Sequence, residues 1–187
     1  NISNENFPFM ACKEISICGG IVSRLFRISF SGELAYELSF PTQYALSFVN
    51  YIMEIGKEEN IIPYGTEALG VMRIEKGHAA GAELNGTTTA LNLNMEKMVS
   101  NNKDSIGTVL SKREGLNQTD DLKLVGIKPI NSNDQLISGS HLFDLSSKVN
   151  PQNDKGYITS SCFSPTLGSF IALGFLKNGT DRFGDKV

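Results

Sequence analysis

The segment Phe30-Ser-Gly-Glu-Leu-Ala-Tyr-Glu37 constrains the fold more than any other stretch of this chain. Apolar positions flank Gly32-Glu33 on both sides, a pattern that predicts strands over Ser23–Ser31 and Ala35–Phe40 joined by a turn. On this reading Phe30, Gly32, Leu34 and Tyr36 share one face. Glu33 and Glu37 then stand in a run that is otherwise apolar. Burying a carboxylate there is unfavourable by on the order of several kcal/mol unless a donor-rich partner meets it. An aromatic ring and a carboxylate at Phe30 and Glu37 can supply a stacking face and an acceptor for a flat, nitrogen-rich heterocycle. A solvated glutamate on an edge strand satisfies the same pattern, and both readings stay open.

The 187 residues suffice for one sizeable core or two small ones. A net charge of −3, with scattered lysines and arginines, argues against nucleic acid as a partner. No apolar run approaches the roughly 20 residues that span a bilayer, and no stretch reads as a signal peptide, so no membrane partner and a cytoplasmic location are expected. Cys12, Cys18 and Cys162 fit no metal-ligand spacing and are expected as neutral thiols in a reducing compartment. With His78 and His141 the only histidines, no metal site is expected. Both ends read as cuts in a longer polypeptide: the chain begins at Asn1, and Val187 follows a Gly184-Asp185-Lys186 turn that should lead into another strand. A strand near Val22–Ser31 and one at the C-terminus are therefore expected to have unpaired edges, with Glu37 exposed.

The rest of the pattern is α+β followed by all-β. Thr42 is placed as the N-cap of a helix through Ala45, Phe48, Val49, Ile52 and Met53, ending near Gly56. Thr66 is placed as the cap of a second helix through Lys76, which Gly77 stops. The stretch from Gly81 to Thr89 reads as a loop, and Asp104 or Ser105 starts a short helix. Asn117-Gln-Thr-Asp-Asp121 reads as a polar linker. Beyond it, Leu122–Pro129, Gln135–Ser138, His141–Asp144, Gly156–Cys162 and Ser169–Leu176 read as strands of a small antiparallel barrel or sandwich. The predicted division is an α+β part over 1–116 and a β part over 117–187.

Three blocks carry a family resemblance: Arg27-Ile-Ser-Phe-Ser-Gly-Glu-Leu-Ala-Tyr-Glu37; Pro63-Tyr-Gly-Thr-Glu-Ala-Leu69 with Arg73-Ile-Glu-Lys-Gly77; and Gly156-Tyr-Ile-Thr-Ser-Ser-Cys-Phe-Ser-Pro-Thr-Leu-Gly168. In this order they resemble the folate-binding module of the aminomethyltransferase (glycine cleavage T-protein) superfamily, above all the C-terminal part of the alpha subunit of heterotetrameric sarcosine oxidases. The resemblance implies that family's folate-binding fold in truncated form, and tetrahydrofolate as the cofactor. By position, Phe30 and Glu37 match the aromatic and the carboxylate that line the family's pterin pocket. A pterin presents an N–H beside an exocyclic amine, and one carboxylate can accept both. Core packing for Phe30 and a structural or surface role for Glu37 remain the alternatives. Leu69 stands where aminomethyltransferases carry an Arg, a departure that favours the amine-oxidase branch.

Arg73 and Glu75 are expected to hold their helix in place by ion pairs or hydrogen bonds, and Glu67 to sit favourably in its helix's first turn. Ser160, Ser161, Ser164 and Thr166 lack the His and Asp of a nucleophilic site and read as turn and strand hydroxyls, near the glutamate tail of a folate if the resemblance holds. Lys76-Gly-His-Ala-Ala-Gly-Ala-Glu83 resembles the motif of an iron–sulfur maintenance branch but has His78 where that motif has Cys. The family's catalytic Asp is expected before residue 1, so no catalytic residue is assigned here. The resemblance implies a sarcosine oxidase subunit fragment, inactive alone, whose partners are the other subunits. Flavin and NAD belong to other parts of that complex. It would oxidise sarcosine and pass the one-carbon unit to tetrahydrofolate, giving 5,10-methylenetetrahydrofolate, glycine and hydrogen peroxide. An aminomethyltransferase of glycine cleavage and a non-catalytic folate-binding scaffold are the alternatives.

Overall fold

A computed structural model describes residues 2–100, 102–116 and 122–187. Two compact units divide the chain, Asn1–Arg73 and Ile74–Val187. The predicted linker at 117–121, and with it the 116/117 boundary, lies outside the described residues.

In the first unit, β1 (Cys12–Ile17), β2 (Ile21–Phe26) and β3 (Glu37–Ser39) form an antiparallel sheet in the order β1-β2-β3. The alternation of β2 sets its faces. Ser23 and Leu25 are buried, while Val22 and Arg24 are exposed. Ile15, Ile17 and Leu38 lie half-buried on the Leu25 side. Helix α1 (Ala45–Ile55) follows a short 3-10 turn over Thr42–Tyr44. Thr42 lies inside that turn rather than capping it, and no side chain caps α1, so the predicted cap is corrected. Phe48 of α1 packs on Phe40, ring centroids 4.5 Å apart.

Two strand expectations are also corrected. Residues 27–36 form a loop, not strand ends, so the face shared by Phe30, Gly32, Leu34 and Tyr36 does not exist. The reason is local. Arg27 N donates to Ala11 O, its guanidinium donates to Phe7 O at 2.8 Å, and Gly32 takes φ +80°, which breaks the extended run. The strand expected to have an unpaired edge is paired on both sides, because β1, which the sequence reading did not anticipate, supplies the second neighbour of β2. The edge falls instead on β3, which pairs with β2 alone among the described residues.

Helix α2 (Thr66–Glu75) has Thr66 as its first residue rather than its cap, and it ends as predicted at Gly77, φ +71°, whose N–H donates to Ile74 O. In the second unit, α3 (Ile106–Ser111) is capped by Ser105, whose hydroxyl accepts from Thr108 N. Strands β4 (Leu122–Ile127), β5 (His141–Leu142), β6 (Gly156–Ser164) and β7 (Ser169–Lys177) form an antiparallel sheet in the order β4-β7-β6-β5, curled into a half-barrel. The C-terminal strand β7 is thus central, contrary to the unpaired edge expected for it. Both its faces are buried: Ala172 and Leu176 pack with Leu142 and Ile158 on one side, and Ile171 and Leu173 with Ile74 on the other. The predicted strand over Gln135–Ser138 is absent. Its neighbours Gly139 and Ser140 instead exchange backbone hydrogen bonds with Ile158.

Strand β6 carries a bulge. Ile158 pairs with Gly174 and Ser160 with Leu173, leaving Thr159 as the extra residue. At the start of β6, Gly156 has φ +149°, and a Cβ there would lie 1.9 Å from Phe175 O. Only glycine fits that close approach.

Candidate functional site

The register of the first sheet builds one polar face. Cys12, Phe26 and Glu37 stand in one cross-strand row, and Glu14, Arg24 and Ser39 in the next. Side chains of one row share a face, and rows on that face recur about every 7 Å. Glu37 is therefore on the exposed side, opposite Leu25 and Leu38. Its carboxylate makes no hydrogen bond or ion pair with any described residue. A shallow cavity of about 290 Å³ lies on this sheet, lined by Glu14, Val22, Ser23, Arg24, Ser39, Phe40 and Pro41.

The other predicted site residues lie apart from this cavity. Phe30 sits in the 27–36 loop, 38% exposed. The loop is held at both ends: Arg27 fixes Phe7 O, and Tyr36 stacks on Phe7 with ring centroids 6.4 Å apart. Leu69 is half-buried in α2, and its N–H donates to Gly65 O. None of Phe30, Glu37 and Leu69 lines the cavity, although Glu37 neighbours Ser39 on the same strand face.

The second unit holds two carboxylates with a shared logic. Glu83 has no exposed surface. Its Oε1 accepts from the hydroxyls of Thr159 at 2.5 Å and Ser160 at 2.6 Å, and its Oε2 from the Ala80 N–H at 2.9 Å. These donors offset the desolvation of a buried carboxylate. Glu75, at the end of α2, accepts from Ser164 at 2.6 Å and Thr166 at 3.2 Å. The Ser164 hydroxyl, with lesser help from Thr166 and against some desolvation, holds the Glu75 carboxyl below its ordinary range. Ser164 also accepts from Leu167 N, fixing the turn between β6 and β7. The expected structural role of Glu75 thus runs through hydroxyls, and Ser160, Ser164 and Thr166 serve as carboxylate donors. The role of Glu83 was not foreseen. Its partners lie 76 and 77 positions along the chain, and only the density of hydroxyls in β6 hinted at a buried acceptor.

The model of the GCVT N-terminal domain matches residues 1–103, and that of the glycine cleavage T-protein C-terminal barrel domain matches 123–187. The chain belongs to the glycine cleavage T-protein family. Within that family it is 47% identical over 189 residues to the sarcosine oxidase subunit alpha of Rhizobium meliloti (strain 1021), covering 100% of this chain and 19% of that one. It is 29% identical to an aminomethyltransferase of Thermoanaerobacter sp. (strain X514), covering 98% of this chain and 48% of that one. The crystal structure of the glycine cleavage system aminomethyltransferase T from Bartonella henselae superposes with a TM-score of 0.72 at 22% identity, over 91% of this chain and 45% of that one, which establishes the shared T-protein fold. The chain thus spans only part of the length of the T-protein relatives it matches. Among its described residues no helix is long and apolar enough to cross a membrane.

Proposed function

We propose that this chain is the folate-binding part of a sarcosine oxidase alpha subunit, supporting oxidative demethylation of sarcosine with one-carbon transfer to tetrahydrofolate. The 47% identity along the whole chain to a subunit of that name, against 29% to an aminomethyltransferase, carries the reading. The partners are then the other subunits of a cytoplasmic heterotetramer, with flavin and NAD held elsewhere in it.

Tetrahydrofolate supplies the nitrogens N5 and N10 that take up a one-carbon unit. The fit on this chain's side is a carboxylate without a partner on an exposed sheet face, which suits a heterocycle edge that offers two N–H donors. Glu37 would accept from that edge and orient the ring. Phe30, on a loop anchored by Arg27 and Tyr36, would offer an aromatic face, and Leu69 an apolar surface where related enzymes carry an Arg. Holding the acceptor close to where the electrophile arrives lowers the entropic barrier to transfer.

The test is product partitioning in the complete enzyme supplied with sarcosine. Adding tetrahydrofolate should lower the free formaldehyde released. Glu37→Gln should restore formaldehyde release without slowing sarcosine consumption. Formaldehyde release that ignores tetrahydrofolate in the unaltered enzyme overturns the reading.

A further inference from the structure

Arg24 stands beside Glu37 on the exposed face. Glu37 pairs across the ladder with Phe26, and Arg24 with Ser39, so Arg24 and Glu37 are diagonal neighbours on adjacent strands. Side chains so placed are about 7–8 Å apart at their bases, within joint reach of one small ring. Glu14 stands directly opposite Arg24 on the other flank. Such a cross-strand pair of opposite charge ordinarily closes into an ion pair. Here no carboxylate oxygen lies within 4.0 Å of the Arg24 guanidinium, and none of its five N–H groups donates to a described residue. Both Glu14 and Arg24 instead border the cavity of about 290 Å³, whose remaining walls are the apolar Val22, Phe40 and Pro41 with the polar Ser23 and Ser39. That volume is near the lower end of small-molecule sites, about 300–1,000 Å³.

The two neighbours have complementary chemistry. A 2-amino-4-oxo pyrimidine edge, as in a pterin, offers an exocyclic amine and a ring N–H as donors, then a carbonyl oxygen as acceptor. A carboxylate satisfies the two donors. A guanidinium beside it satisfies the oxygen, and its planar fork suits an in-plane acceptor. A neutral 2,4-diamino ring has no N–H at ring position 3, so it turns a lone pair toward the Glu37 carboxylate and an amine donor toward Arg24. We infer that Arg24 is a second polar contact of the Glu37 site, donating to the 4-oxo oxygen and setting a preference for 4-oxo over 4-amino rings. This rests on the folate-binding reading above and names a residue that neither the family resemblance nor the motif blocks single out.

The experiment measures binding of tetrahydrofolate and of its 4-amino counterpart to the complete subunit that contains this chain, by calorimetry. The unaltered protein should favour the 4-oxo ligand by at least about a hundredfold, since that ligand alone makes a charged hydrogen bond at Arg24 and a second one at Glu37. Arg24→Met should cut that preference by about tenfold to a hundredfold, chiefly by weakening the 4-oxo ligand, with Arg24→Lys restoring part of it. Glu37→Gln should weaken tetrahydrofolate. Arg24 is exposed, so unchanged melting temperatures are expected and serve as the check on folding. If tetrahydrofolate binds and Glu37→Gln weakens it, but Arg24→Met keeps the unaltered ratio, the Arg24 assignment alone is overturned. If neither ligand binds the unaltered protein, the folate reading fails and the Arg24 assignment fails with it.

Discussion

Thr159 donates its hydroxyl to Glu83 at 2.5 Å across 76 positions of sequence, from the one bulged residue of β6 to a carboxylate with no exposed surface. The same hydroxyl lies 2.9 Å from Leu173 O, and its single proton cannot serve both acceptors at full strength. Ser160, next along β6, supplies a second donor to the same carboxylate oxygen. The bulge thus sets two consecutive hydroxyls on one acceptor, which regular alternation would send to opposite faces.

Glu83→Leu should therefore be strongly destabilising despite its similar volume. A leucine there leaves the Ala80 N–H without its acceptor and takes the shared acceptor from the Thr159 and Ser160 hydroxyls. The expected loss is about 2–4 kcal/mol, read as a lowered denaturation midpoint at unchanged slope. A loss below about 0.5 kcal/mol, the ordinary range of surface substitutions, would remove Glu83 from the account of the second unit.

The acid limb of stability should involve Glu75. Its folded carboxyl is held below the ordinary range, chiefly by the Ser164 hydroxyl. Its contribution is thus fully present above the pH at which an unfolded glutamate titrates. It is lost as pH falls through the lower folded value. Ser164→Ala should shrink the drop in melting temperature between neutral and acid pH. An undiminished acid limb in Ser164→Ala would contradict the assignment.

Gly156→Ala tests the close approach of β6 to β7. A methyl group would meet Phe175 O at 1.9 Å, in a backbone conformation that side chains disfavour. The change should cost at least about 2 kcal/mol, seen in chemical denaturation. The same substitution at Gly126 of β4, where a Cβ meets nothing within 4 Å, should be milder.

The elements that the sequence made legible are those whose pattern is local. β7 reads as a strand because Ser169–Lys177 is a nearly unbroken apolar run, and α3 because Ser105 precedes it as a cap. β1 was missed because Cys-Lys-Glu-Ile-Ser-Ile is half polar and lies against a sheet exposed on one side. The alternation around Phe30 reads as a strand, but the hold of Arg27 on Phe7 O and the left-handed Gly32 are tertiary and conformational facts that alternation does not encode. The candidate site divides the same way. Glu37 was found by its position in a motif. Arg24 became visible only through register, since nothing in the spacing from Arg24 to Glu37 says that the two share a sheet face.

Binding of tetrahydrofolate to the complete subunit that contains this chain, with and without Glu37→Gln, tests the central claim most directly. Calorimetry should give one site in the unaltered protein and a loss of about 1.5–3 kcal/mol, one to two decades in affinity, in the variant at an unchanged melting temperature. Equal affinity in the two proteins would contradict the account, because the carboxylate left without a partner on the exposed sheet face would then not be what recognises the folate.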